Sequence, residues 1–369
     1  MLSMQKISFL FSCRSFMAAV FLLLSLPCAA GIDFYLWQRA YTGAVKEAAE
    51  VFYRNSSGKL FCIAGELEKD GRAIGVKPAG AIRLDRSAAV IRIHTAHLNK
   101  KAAELARDIV KLYSPWQQCR ALEVDLDIPE SKLGYYAELM RELRRTLPGT
   151  TLSATVLPCH LKHRKAFAAL AQACDFYVLQ VHGLNREKGF WEIFSFSDSI
   201  KAVEQARKFN RPFKVALPLY CNNIDRNTLI KPDLQKVAEL AKISPQVIGF
   251  RLGIAGDGNS LDWTTAAAVC RGQGYQPELA FNWQLQSNGA WILSVTNRGY
   301  FAEHITLQIP PDLQNIIQDA DSFGNVVFDR HARTVKLRLP PAGSVQNILW
   351  VRFTENPSGK SPITVKENR

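Results

Sequence analysis

From Gly31 to about residue 272 the chain alternates in blocks. A short apolar run is followed by a polar turn, and then by a helix-length segment with apolar residues three and four apart. Eight runs read as strands: "IDFYLW" (32 to 37), "KLFCIAGE" (59 to 66), "AAVIRIH" (88 to 94), "ALEVDLD" (121 to 127), "TLSATVLP" (151 to 158), "DFYVLQVH" (175 to 182), "PFKVALPLY" (212 to 220) and "QVIGFRLGI" (246 to 254). Helical spacing fills 41 to 54, 98 to 113, 131 to 146, 162 to 173, 197 to 209, 232 to 243 and 260 to 271, whereas residues 67 to 87 show none. Eight strands joined by helical crossovers predict an α/β fold, a (β/α)8 barrel of TIM type over residues 31 to 275. An open doubly wound sheet is the alternative, but no Gly-rich phosphate fingerprint follows the first run.

After residue 275 the helical period gives way to alternation of period two, punctuated by Asn, Gly and Pro, as in "LAFNWQLQ", "WILSVTNR" and "NILWVRF". Residues 276 to 355 are therefore expected to form a small antiparallel β domain resembling a sandwich, and 356 to 369 a flexible tail.

Polar residues interrupt the apolar runs near their ends. Side chains two apart on a strand share a face, so Glu123, Asp125 and Asp127 line one side of the fourth strand. In a parallel barrel the C-terminal strand ends open onto the mouth, where active sites are built. Asp127 is expected at that rim, Asp125 beside it, and Glu123 one layer lower, held in a buried network with Arg92 or Arg251 as charge partners. Glu66, His94, Ser153, Thr155, Gln180, His182, Tyr220 and Arg251 lie toward the ends of other runs. All but Glu66 keep one parity on their own strand. Tyr35, Trp37 and Arg39 in "FYLWQRAY", with Trp116, Phe190 and Trp191, supply aromatic and cationic groups suited to stacking on sugar rings, although core packing accounts equally well for some of them.

Composition narrows the function classes. A hydrophobic content of 47% is ordinary for a globular protein. The formal charge of +13 suits anionic partners, yet the basic residues are scattered and not interleaved with aromatics as in a nucleic-acid groove, so nucleic acid is not an expected partner. Lys6 and Arg14, the apolar run "FMAAVFLLLSLP" and the small residues of "CAAG" read as an export signal over residues 1 to 30, which places the protein in the periplasm or outside the cell. Lipidation at Cys28 is the weaker reading, because Pro27 stands where a small residue is wanted. No later segment has the ~20 apolar residues of a membrane span. Cys62, Cys119, Cys159, Cys174, Cys221 and Cys270 follow the signal without a CxxC motif; spacing selects no pairing, and no metal or other cofactor is expected.

"VDLDIPESKLGYYAELMRELRRTLP", "LSATVLP", "DFYVLQVHGL", "VALPLY", "IGFRLGIAGDG", "FYLWQRAY" and "LPPAGSVQNILWVRF" resemble an exported bacterial family, domain of unknown function 3142. More distantly, the order of motifs is similar to family 18 glycoside hydrolases, with a DxDxE on the fourth strand, a polar end on the sixth and Pro-x-Tyr on the seventh. The resemblance implies a carbohydrate cleft in which Asp125 and Asp127 match the two aspartates, Gln180 and His182 the sixth-strand positions, and Pro218 and Tyr220 the seventh. It does not bring the family's acid, because Pro129 occupies the last position of the motif.

The resulting expectation is a glycan-binding barrel mouth. If it is hydrolytic, Asp127 is the general acid and Asp125 its partner, with Trp37, Arg39, Glu66, His94, Gln180, His182, Trp191, Tyr220 and Arg251 contacting substrate. The alternative is a noncatalytic carbohydrate-binding or envelope-assembly protein with a degenerate site. A purely structural scaffold explains the polar mouth least well. The sequence names no protein partner.

Overall fold

The computed structural model describes residues 31–187, 190–224, 229–257, 259–273, 279–297, 303–308, 317–324, 326–329, 331, 334–339, 344–354 and 364–366. Residues 1–30, where an export signal is expected, and most of residues 356–369 lie outside them.

Eight parallel strands close into a barrel. They are β1 (Asp33–Leu36), β2 (Leu60–Leu67), β3 (Ser87–Ile93), β4 (Ala121–Asp125), β5 (Thr151–Val156), β6 (Phe176–Gln180), β7 (Phe213–Pro218) and β8 (Val247–Phe250). Each pairs with its sequence neighbour. The ring closes where β1 meets β8, with Asp33 opposite Ile248 and Phe34 opposite Gly249. The crossover helices are α1 (Gly43–Asn55), α2 (Ala102–Tyr113), α3 (Leu133–Thr146), α4 (Arg164–Ala173), α5 (Phe196–Arg207), α6 (Leu234–Ile243) and α7 (Trp263–Cys270).

Their apolar stripes turn toward the sheet. On α2, Ala102, Leu105, Ala106, Ile109 and Tyr113 are buried, the three-and-four spacing of a helix with one wet face. Starts are fixed by side chains that accept otherwise unpaired backbone N–H groups: Thr42 from Val45, Asp233 from Lys236 and Asp262 from Thr265. Where helical spacing is missing, between β2 and β3, residues Ala73–Gly75 instead add antiparallel to the end of β2. Trp116 closes this segment. Its ring is fully buried and its Nε1 donates to the Val76 carbonyl at 2.6 Å, so it belongs to the core and not to the mouth.

The barrel interior is layered. Small residues, Ala88, Ala121 and Ala216, make room for Tyr35 and Phe61. At the N-terminal end Lys214 pairs with Asp33, its ammonium 5.3 Å and 4.8 Å from the ring centres of Phe61 and Phe176, which compensates a charge withdrawn from water. Gly249 marks the tightest approach of β8 to its surroundings. A Cβ there would stand 2.5 Å from Phe34 Cε1 and 2.8 Å from Leu219 Cδ1, both on fully buried side chains. Gly249→Ala is expected to cost about 1–3 kcal/mol by overpacking, read as a lower urea midpoint; an unchanged midpoint would show that β8 yields freely.

Beyond the barrel the described residues form separate antiparallel sheets. One runs in the order β9 (Leu279–Leu285), β10 (Trp291–Asn297), β15 (Ser344–Phe353), β12 (Ile317–Ser322); the other runs β13 (Val327–Asp329), β14 (Thr334–Leu339), β11 (Glu303–Gln308), β16 (Thr364–Lys366). "NILWVRF" lies in the central strand β15, paired on both sides. Leu293, Ile348, Leu349 and Val351 from one sheet share a buried cluster with Leu307 and Val335 from the other. No helix among the described residues is long and apolar enough to cross a membrane.

Candidate functional site

At the C-terminal end of the barrel the inward positions open a cavity of about 170 Å³. Asp125 and Asp127 line one side; Tyr35, Trp37, Tyr220 and Phe250 supply aromatic walls; Arg92, Thr155, Gln180 and His182 complete it, with Glu123 at its base. The aromatic rings brace one another: Trp37 and Phe250 centres are 5.3 Å apart, Tyr35 and Phe250 5.5 Å, and His182 and Phe250 4.8 Å.

Glu123 is fully buried and acts as the hub of a hydrogen-bond network. It accepts from the Tyr35 hydroxyl at 2.5 Å, Ser153 at 3.2 Å and Thr155 at 3.4 Å. Burial nevertheless dominates over these donors and pushes its carboxyl up to about 8. Neither Arg92 nor Arg251 forms an ion pair with it; the cation that most favours its charged form is Lys214, from below. Asp125, one layer higher, is raised to about 7, first by burial and then by the negative charge of Asp127. Asp127 itself is exposed at the rim. The three acids are thus a column in which proton affinity is high at the base and the accessible group is at the top.

His182 is buried and its imidazole is pushed down to about 3 by loss of water, so it is neutral across the physiological range. Its Nδ1 lies 3.4 Å from the Tyr220 hydroxyl, and its buried Nε2 has no hydrogen-bond partner among the described residues. Gln180 is fixed by donating to the His182 carbonyl at 3.2 Å.

A second, polar hollow of about 320 Å³ adjoins the first and shares Arg92, Asp125 and Asp127 with it; Glu66, Glu68, His94 and Thr95 form its other walls. Glu66 reaches this place through a β-bulge. The pairing of β2 with β3 slips between Ile63 and Gly65, so that Ile63 faces Val90 while Glu66, not Gly65 or Leu67, faces Arg92. That extra residue explains why Glu66 violates the parity of its strand. Arg39 grips it with Nε and with Nη2, the latter at 2.9 Å. His94 is exposed, with its Nδ1 accepting from the Ala96 N–H at 3.1 Å.

Of the expected members, Glu66 and His94 line the hollow and not the cavity, Arg39 touches the hollow only through Glu66, and Arg251 and Trp191 line neither. Arg251 follows Phe250 and turns the opposite way, donating to Asp257 at 2.7 Å; the inward positions of β8 are Ile248 and Phe250. Its absence from the cavity wall follows from that parity and from the carboxylate that the next loop brings to it, although its charge still acts on Tyr220. Trp191 lies on the hairpin of Asn185–Glu187 and Phe190–Glu192 that follows β6. It is partly exposed, with the Arg186 guanidinium 5.7 Å from its ring centre. The side chain of Phe190 lies outside the described residues. Phe250 was not singled out by sequence reasoning, although the alternation Ile248, Phe250 carries the signal.

Among the described residues no group of three or more His, Cys, Asp or Glu is arranged to hold a metal ion. Cys62, Cys119, Cys174 and Cys270 are buried away from the mouth.

Several solved structures are similar to the chain. The spore cortex-lytic enzyme SleL of Bacillus megaterium QM B1551 matches at 13% identity and a TM-score of 0.46, over 61% of this chain and 71% of that one. A chitinase from Chromobacterium violaceum ATCC 12472 matches at 12% and 0.44, and a class V chitinase from Pseudomonas fluorescens Pf-5 at 13% and 0.47, each over 66% of this chain and 99% of the other. No curated protein matches the sequence. Residues 85–235 match the family model described as Domain of unknown function (DUF3142), a span that runs from the start of β3 to the start of α6 and contains the acid column of β4.

Proposed function

We propose that the mouth of the barrel binds a glycan and hydrolyses one of its glycosidic bonds. The observation that carries this reading is the pair Asp125 and Asp127, two neighbouring carboxyls with different environments, in a cavity walled by Trp37, Tyr220 and Phe250. Aromatic walls suit the apolar faces of a sugar ring, and a carboxyl raised to about 7 holds a proton at the pH where it must be donated.

In this reading the proton sits on Asp125, which reverses the roles expected from strand position alone. Burial and the charge of Asp127 raise Asp125, while Asp127, open to water, serves as the anion that stabilises positive charge developing on the sugar. His182, Gln180 and Tyr220 orient the ring. His182 does so as a neutral group, so the pH response of the site belongs to the carboxyls. With residues 1 to 30 as an export signal, the protein acts outside the cytoplasm, and N-terminal sequencing of the mature form should begin at Gly31.

One observation favours a noncatalytic binder instead: Pro129, at the family 18 acid position, starts the turn Glu130–Lys132 and has no proton to give. Screening the mature protein against bacterial exopolysaccharide fragments, peptidoglycan fragments and chitin oligosaccharides from pH 4 to 8 separates the two. Release of reducing ends supports the enzyme; binding without any cleavage supports the binder. In either case Trp37→Ala should weaken glycan binding about ten-fold by removing an aromatic wall; unchanged affinity would place the sugar elsewhere.

A further inference from the structure

Arg92 faces the barrel interior from β3, in register with Glu66 of β2 and Asp125 of β4. Its side chain is half exposed and forms part of the wall between the aromatic cavity and the polar hollow. Among the described residues its guanidinium makes no hydrogen bond to the protein. Its ion-pair contact is Glu66 at 3.6 Å, beyond hydrogen-bond reach, and Glu66 is already gripped by two nitrogens of Arg39. A planar cation with five N–H donors therefore stands at the mouth with its donors uncommitted.

Arg92 favours the charged form of Asp125 through space, yet its guanidinium is not held against either acid of the rim. No ion pair within 4.0 Å joins Arg92 to Asp125 or Asp127. The forked geometry matches an oxyanion, above all a carboxylate bound through two parallel N–H groups. We infer that Arg92 recognises an anionic substituent, a carboxylate or a sulfate ester, on the sugar that lies against Asp125 and Asp127. The inference rests on the glycan reading of the mouth and names its substrate class as an acidic glycan.

The surrounding charges make this recognition positional. Glu68 and Asp127 line the same hollow and repel an anion that is not seated on the fork, so a substituent must reach Arg92 to be accepted. At longer range the formal charge of +13 draws a polyanionic chain toward the protein without choosing where it docks.

The test pairs acidic oligosaccharides with their neutralised counterparts: oligogalacturonate with its carboxyl-reduced form, and chondroitin sulfate oligosaccharides with their desulfated and their desulfated, carboxyl-reduced forms. Binding is measured by calorimetry at about 0.15 M salt. The acidic member of at least one pair should bind about ten-fold tighter or better, and which modification abolishes the preference distinguishes carboxylate from sulfate. Arg92→Gln should bring that ratio close to one by weakening binding of the acidic member far more than that of the neutral one. Arg92→Lys keeps a cation beside Glu66 but loses the fork, and should retain only part of the ratio; it reads the same loss if the Gln variant fails to fold. Equal wild-type affinity for acidic and neutral members, or an equal weakening of both by Arg92→Gln, overturns the inference while the glycan reading stands. Failure of the wild type to bind either member of any pair brings down both.

Discussion

Asp125→Asn is expected to reduce glycan turnover by about 10²- to 10⁴-fold while leaving binding nearly intact, because the amide keeps the shape of the carboxyl and removes its transferable proton. The wild type should show a falling limb near pH 7. A raised carboxyl is protonated below its folded value and charged above it, so activity that needs the acid form is present below about 7 and lost as the pH rises through it. Asp127→Asn acts differently. It removes the charge that is the second cause of the Asp125 shift, after burial, so the limb should move to lower pH while the maximal rate also falls for want of the anion. Rate–pH profiles of the three proteins on a cleaved glycan decide the assignment. Full activity in Asp125→Asn would remove Asp125 as the donor, and a lost limb in Asp127→Asn with a merely shifted one in Asp125→Asn would return the acid role to Asp127.

The barrel was legible in the chain because its two periods differ so sharply. "ALEVDLD" alternates and "SKLGYYAELMRELRRT" does not, and the structure places β4 at Ala121–Asp125 and α3 at Leu133–Thr146. The same alternation brought Asp125, Asp127, Gln180, His182, Tyr220 and Trp37 to one cavity, since each occupies an inward position near a strand end. What resisted reading depends on events off the strand lattice. One extra residue at the bulge in β2 re-aims Glu66, and nothing in "FCIAGEL" announces which residue is extra. Arg251 sits one step past the inward Phe250, and its partner Asp257 comes from a loop whose path no period encodes. Trp116 is spent covering a segment that lacks a helix, a demand set by tertiary packing. Proton affinities are the least legible of all. Glu123 and Asp125 sit at alternate positions that spacing alone cannot tell from any other polar strand residues, and it is depth in the barrel that makes them weak acids.

That depth has a consequence for stability, which Glu123→Gln should expose. Glu123 ionises near 4.5 when free of the fold and at about 8 within it, because burial penalises its charge more than Tyr35 and Ser153 favour it. Between those values the folded protein holds a proton that the unfolded chain has released, so the folded state binds more protons and stability falls as pH rises across the window. Each unit costs about 1.4 kcal/mol for one group, and relaxation around the site reduces the full sum to a few kcal/mol. Glutamine has no proton to lose. The variant should therefore lie within about 1 kcal/mol of the wild type near pH 5, where both side chains are neutral and similar in shape, and should exceed it by a few kcal/mol near pH 9. Urea denaturation of both proteins at the two pH values measures this. Contributions common to both, such as the Lys100–Asp108 pair on the outside of the barrel, cancel in the double difference. Parallel stability curves for the two proteins would mean that Glu123 is already charged in the folded barrel, with its three hydroxyl donors and Lys214 sufficient to hold it so.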